Sequence, residues 1–475
     1  MDFDVFRVPL DCWIQIFSFL QDDDLNRASC VCKVWWEAAA TPWLWRKMCL
    51  QQWSFCNVAS LLNDTDCLTW KNYYMRRTQL ERKMKSGRPC GDYTCKSLRG
   101  HTGRVVGVVY VAGNNSFSEV LNSTPVVCSA STDGTVRGWD IQKGVQLWST
   151  PAANPLWSIA AYPQKCLAIT ADTAGDLKIW EGLTGQQVAT FPTASHQCEL
   201  LPFSYNGDSF LLIGTSQGSL IVLTIPSLTK LSSQVIIDTF KVNLLLSSTD
   251  EKWIFVASKE NIDFNPKVFF TKSLCCANEE EGTLSVSLPV SSCCAAAFFP
   301  GQPARVAVIH GGNNLNSKIL SVFDISMKKS KYDELLPNAQ PVESFALGLT
   351  RSNSDLILHT KGNSTIVVAD ANHLKVYTMK GALIATFKDH TLPITSLCMD
   401  GFRVVTASQD LSLRVLTWRR EKDKGLTLES QYHLLGGSHT MSRGFTHVTC
   451  DYASIVASVE AVNGKDVLKA YTFDS

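Results

Sequence analysis

The chain has no excess of either charge: its 475 residues carry 44 Lys plus Arg against 43 Asp plus Glu. That balance gives no general pull toward nucleic acid or an acidic membrane surface. No apolar run approaches the length needed to span a bilayer. The amino terminus lacks a basic n-region, and Asp22-Asp23-Asp24 follow soon after the first apolar segment, so no secretory leader is expected. H-E-x-x-H, G-x-x-x-x-G-K-[ST] and recurring C-x-x-C pairs are all missing. No ligand set is therefore legible for a catalytic metal, a cradled phosphate or a zinc ribbon. No cofactor is expected.

Cysteine, by contrast, is plentiful: there are 17, an odd and scattered set. The adjacent pairs Cys275-Cys276 and Cys293-Cys294 are poorly placed to bridge within themselves. Many others lie in apolar runs, where a free thiol behaves as a small hydrophobe. A reducing compartment is the simpler reading, so the expected location is the cytoplasm, with the nucleus also open to it. One segment looks catalytic. Gly214-Thr215-Ser216-Gln217-Gly218 matches G-x-S-x-G, but that elbow must lead from a strand into a helix. Here Leu220-Ile221-Val222-Leu223 follows, which reads as another strand, so a plain turn is expected.

The first fifty residues have a different texture. Pro9 suits a first helical turn, and Trp13, Ile14, Phe17 and Leu20 then recur at helical spacing. Asp22-Asp23-Asp24 interrupt that run. Leu25, Ala28, Val31 and Cys32 begin a second helical face, and Leu44, Trp45 and Met48 form a third. Three short helices with this many large apolar groups cannot cover them all, so part of the surface is left for a partner.

The joint spacing of Pro9, Leu10, Ile14, Phe17, Leu20, Leu25, Ala28, Val31, Cys32, Trp35, Leu44 and Trp45 resembles an F-box. Val8 stands where leucine is usual, and Phe17 where isoleucine or leucine is commoner. The resemblance implies docking on a Skp-type adaptor and, through it, a cullin scaffold. It assigns the adaptor surface to Pro9, Leu10, Ile14, Leu20, Leu25, Val31, Cys32, Trp35, Leu44 and Trp45. Residues 51–92 form a helical linker, with one helix from Trp70 through Arg77, Glu81 and Lys85, ended near Gly87 and Pro89. Its spacing is similar to the linker helix of F-box/WD-repeat proteins, and its basic run reads as a solvated helix face.

From residue 93 to 475 the chain reads as strands. Gly100-His101, the tight-turn pair Asp133-Gly134 and Trp139-Asp140 frame a unit of about forty residues, the signature of a WD-repeat propeller blade. His101, Ser129 or Ser131, Asp133 and Trp139 can join in one hydrogen-bonded set. Weaker copies follow, the second running from Leu156 through Trp180 to Phe191, the sixth spanning 342–387, and the seventh running from Ile394 to Trp418. The eighth has three strands within 445–473, and residues 93–98 can supply the missing one and close the ring. Eight blades are favoured, with seven as the alternative.

Related receptors of phosphorylated segments place arginines where the inner strands begin, since guanidinium pairs bidentately with phosphate. Here those positions are Val106, Trp157 and Thr395, with Arg104 nearby but off register. A surface for an apolar or mixed segment is therefore expected, anchored by Trp157. The resemblance as a whole implies a non-catalytic substrate receptor of a Skp–cullin–F-box ubiquitin ligase. The alternative is an F-box/propeller scaffold that does not direct degradation.

Overall fold

The computed structural model describes residues 8–53, 70–89, 91–113, 124–275, 282–312, 317–329, 334–349, 355–421, 425–437 and 441–473. Residues 1–7 of the opening module, 54–69 of the linker and the polar loop 114–123 lie outside the described residues. Four helices open the chain, not three: α1 (Leu10–Phe17), α2 (Asp22–Ala28), α3 (Lys33–Ala39) and α4 (Pro42–Gln52). The expected second helix is split because Cys32 is extended, at φ −157° and ψ 169°. The aspartates that seemed to break the first run instead form the first turn of α2. Acidic side chains are favourable there, beside the positive end of the helix dipole. Pro42 begins α4, where its missing N–H costs nothing.

After the linker, α5 (Trp70–Ser86) runs as expected. Gly87 ends it at φ +52°, and a Cβ at that position would collide with the Tyr432 ring. The strands then pair into eight antiparallel sheets of four. Blades one to seven use consecutive strands, covering 105–149, 156–192, 198–235, 244–287, 295–347, 356–387 and 394–435. Blade eight takes three strands from 442–472 and its fourth, Thr94–Leu98, from the other end of the β region. In that pair Thr94 faces Thr472 and Leu98 faces Leu468. Each inner strand touches the inner strand of the next blade, including Val105–Ala112 with Ser442–Cys450, so the ring closes.

The boundary of blade six needs correcting. Leu335–Leu347 is the outer strand of blade five, paired along Lys318–Lys329, and blade six begins only at Leu356. The apolar alternation of 342–347 could not reveal which hairpin it served. The G-x-S-x-G segment joins strands Asp208–Thr215 and Ser219–Thr224, as expected of a turn.

The helices do not float free of the propeller. One apolar cluster holds Phe17, Leu25, Leu44, Trp45, Tyr73, Leu80 and Met84 together with Val405, Leu413, Phe445, Ile455 and Phe473 of blades seven and eight. The α5 face adds polar ties. Glu81 accepts hydrogen bonds from Trp53 Nε1 (2.8 Å), Tyr452 Oη (2.7 Å) and Arg77 Nε (3.2 Å). The Arg77 guanidinium lies 4.3 Å above the Trp53 ring. Tyr432 Oη donates to the Met84 carbonyl at 2.8 Å.

Arg403, fully buried, fastens blade seven to blade eight. Its Nη2 donates to the carbonyls of Asp451 and Ser454, both at 3.0 Å, and its Nε meets Asp400 at 3.2 Å. Removing a buried charge partner strands the groups it satisfied. Arg403→Ala is therefore expected to cost about 3–5 kcal/mol of unfolding free energy, read by denaturant unfolding. A loss below about 1 kcal/mol, the scale of an exposed ion pair, would refute the clamp.

Candidate functional site

Blade one contains the hydrogen-bonded set anticipated from its sequence, and Ser129 is the serine that completes it. Trp139 Nε1 donates to Ser129 Oγ at 2.9 Å, and Ser129 Oγ meets His101 Nε2 at 2.8 Å. His101 Nδ1 then meets Asp133 at 3.0 Å. The chain of donors is consistent if neutral His101 donates from Nδ1 and accepts at Nε2. Asp140, also buried, caps the following turn by accepting from the Lys143 N–H at 2.9 Å. In blade two, Trp180 Nε1 donates to Thr170 Oγ1 at 2.9 Å without a histidine. Blade seven rebuilds the set with His390, Thr406 and Asp410, at 2.8 and 2.9 Å, while Leu416 takes the register of the tryptophan.

Burial opposes ionisation of Asp133 and Asp410. Hydrogen bonds from His101 and Thr135, and from His390 and Ser412, outweigh it and hold both carboxyls well below the usual carboxylate range.

Two surfaces stand on opposite ends of this ring. The inner strands all run from the end where His101, Trp157 and Thr395 lie toward the end where the hairpins of blades seven and eight meet α5. At the first end, three of the four expected contact residues share one backbone feature. Val106, Trp157 and Thr395 are each the extra residue of a register shift at the start of an inner strand. A bulge of this kind turns its side chain out of the regular pleat. Blade eight repeats the shift at Thr446, which sequence reading missed although it holds the same position.

The four side chains do different things. Val106 is half-buried among the apolar groups of blades one and two. Thr395 Oγ1 is bound to the carbonyls of Phe445 (2.7 Å) and Ala407 (3.2 Å), so it ties blades together. Arg104 pairs with Glu460 at 3.2 Å. Trp157 offers the one large apolar face among the four, 36% exposed. Lys241 Nζ stands 4.9 Å from its ring centroid and 3.8 Å from Glu199. Burial pushes the Glu199 carboxyl above its ordinary value, against the pull of Lys241 and Lys259. Glu199 was legible, being second in its inner strand. Lys241 was not, because it reaches Trp157 from a loop 84 residues away (241 − 157).

At the other end, the helices divide the ten expected adaptor residues. Leu25, Leu44 and Trp45 are buried as core, with Trp45 Nε1 donating to the Ala39 carbonyl at 2.7 Å. Ile14, Leu20, Cys32 and Trp35 are half-buried, the Trp35 ring lying tilted against Trp13 with centroids 4.9 Å apart. Pro9, Leu10 and Val31 are exposed. Ile16, Phe19 and Trp36, which the pattern did not single out, are exposed as well, Phe19 at 81%.

The architecture is thus a helical module with exposed apolar side chains fixed to a closed eight-bladed propeller. The F-box-like family model matches residues 5–51, and the WD domain, G-beta repeat model matches residues 93–140. Human F-box/WD repeat-containing protein 12 is 26% identical over 472 residues, covering 99% of each chain. Mouse F-box/WD repeat-containing protein 15 is 24% identical over 454 residues, covering 95% of each. Along nearly its whole length the chain is thus similar to F-box/WD-repeat proteins. In fold alone it is also similar to the computationally designed Ika8 protein, at a TM-score of 0.55 and 18% identity over 78% of this chain and 98% of that one.

The depressed carboxyls carry a pH prediction. Asp133 and Asp410 stabilise the fold fully above their unfolded value of about 3.9, and that contribution fades as pH falls below it. The double variant Asp133→Asn, Asp410→Asn is expected to be less stable at pH 7. Its unfolding free energy should also fall less steeply than wild type's below about pH 4. Equal slopes in a denaturant series across pH would contradict the assignment.

Proposed function

We propose that this protein is the non-catalytic substrate receptor of a Skp–cullin–F-box ubiquitin ligase. The observation that carries the reading is the outward face of the helical module. Leu10, Ile16, Phe19, Val31 and Trp36 are open to solvent, while buried residues of the helical module join one apolar cluster that reaches blades seven and eight through α5. Contiguous apolar surface of this kind on a folded module is a protein contact site. The similarity to F-box/WD-repeat proteins suggests its partner class, a Skp-type adaptor joined to a cullin. The propeller end that bears Trp157, Lys241 and Glu199 would hold the substrate, a segment of mixed apolar and charged character rather than a phosphorylated one. Ubiquitin transfer would then follow from proximity and orientation, without chemical groups from this chain.

The free thiols among the described cysteines fit a reducing compartment, so we place the protein in the cytoplasm, with the nucleus as a second location. Among the described residues no helix is long and apolar enough to cross a membrane. The non-degradative scaffold remains the second reading. It is favoured by the missing arginines at Val106, Trp157 and Thr395, which leave no phosphate-reading cluster there. Depleting the protein would lengthen the half-lives of its bound partners under the first reading and leave them unchanged under the second.

Point changes test the adaptor surface better than truncation, because removing the helices would uncover the blade residues they seal. Pro9→Ala with Leu10→Ala is expected to weaken capture of a Skp-type adaptor by about tenfold or more, with the thermal transition unchanged. Undiminished capture would remove this face from the interface. Trp157→Ala is expected to lose the proteins held by the propeller while keeping the adaptor. Retention of the same proteins would move the substrate site elsewhere.

A further inference from the structure

Cys398 lies in the inner strand of blade seven (Ile394–Met399), and Cys450 ends the inner strand of blade eight (Ser442–Cys450). The two strands share no backbone ladder, so they meet through side chains. Their alignment is held by neighbours at one constant offset. The Val448 N–H donates to Ser396 Oγ at 3.2 Å, and two residues further along each strand Cys398 Sγ meets Cys450 Sγ at 2.9 Å. Both offsets are 52 residues, and the strand period of two puts Ser396 and Cys398 on one side.

The surroundings suit thiolate chemistry. Arg403, clamped across the same two blades, sets a positive charge beside the pair that partly offsets burial and the Asp400 carboxylate, both of which oppose ionisation. The hydrogen bond from Cys450 brings the Cys398 thiol below its ordinary value, and the same bond raises Cys450 well above its own. Both residues are half-buried rather than sealed. A thiolate with access and a second thiol in contact is the arrangement that oxidises to a disulfide instead of stopping at a single oxidised sulfur.

We propose that Cys398 and Cys450 are a disulfide-forming pair that bridges blades seven and eight when a peroxide reaches them. The Cys398 thiolate attacks one peroxide oxygen, the O–O bond breaks, and the departing oxygen takes a proton and leaves as water. Cys398 is then a sulfenic acid. Cys450 loses its proton, its sulfur attacks the Cys398 sulfur, and the S–O bond breaks with hydroxide leaving as a second water. Two thiols give up two electrons and two protons, and one hydrogen peroxide becomes two waters. The bridge falls where Arg403, Tyr432 and Tyr452 join these blades to each other and to α5, so oxidation would lock the seat of the helical module. This assignment does not depend on the ligase reading.

The test is peroxide treatment of the full chain, alkylation of the remaining thiols, and tryptic mass mapping without reductant. Cleavage leaves Cys398 alone in 389–403 and Cys450 alone in 444–465. The expected product is these two peptides joined, about 2 Da lighter than their sum and separated by dithiothreitol. In Cys450→Ser, Cys398 should instead be trapped by dimedone as its sulfenic acid. Recovery of both cysteines as alkylated thiols while exposed Cys12, Cys30 or Cys95 is oxidised would overturn the proposal. So would Cys398 sulfinic acid without a bridge, or Cys398 joined to any cysteine other than Cys450.

Discussion

Pairing between Thr94–Leu98 and Val467–Thr472 is the contact on which the rest of the molecule depends. It joins the two ends of the β region within a single sheet, which removes the open strand edges an unclosed ring would present. It also fixes where the helices sit. Only a few residues separate the end of α5 from Thr94, so closing blade eight brings α5 against blades seven and eight. The aromatic and polar ties of Trp53, Arg77, Glu81, Tyr432 and Tyr452 then set its angle. This one pairing thus decides the placement of both proposed binding surfaces.

That placement matters because the surfaces face away from each other. The helices cover the end of the ring where the inner strands finish, and the bulged residues line the end where they begin. The proposed receptor role, in which two partners are held at a set distance, needs a stiff body between them. The shared apolar cluster from Phe17 to Phe473 supplies that stiffness, since close-packed interiors transmit displacement rather than absorb it.

The blades reach the same architecture by two routes. Blades one and seven tie their strands with a buried histidine, a hydroxyl and an aspartate. Blades three to five keep the four-strand shape through apolar layers, such as Phe203, Leu212, Val222 and Ile254, or Phe255, Val268, Phe298 and Val308. The polar set secures a local turn, whereas the apolar layers bury area against the adjoining blade. Losing the first is tolerable where the second is extensive, which explains how the signature fades without loss of the ring.

Much of this was written locally. The spacing from Pro9 to Trp45, the helix from Trp70, and the Gly-His, Asp-Gly and Trp-Asp marks of blade one each lie within one element or one hairpin, where residue order and backbone period dictate the outcome. The closing strand was legible too, because a blade with three strands requires a fourth. What the sequence could not reveal depends on residues distant along the chain. Whether Leu25, Leu44 and Trp45 were core or surface turned on how the helices pack against one another, α4 against α5 above all. The outer strand Leu335–Leu347 was assigned by its partner, not by its own alternation. Lys241 beside Trp157, Arg403 across two blades and Cys398 against Cys450 exist only because the ring closes. Local pattern fixes which element forms. Only packing decides which side chains, far apart in sequence, come to share one place.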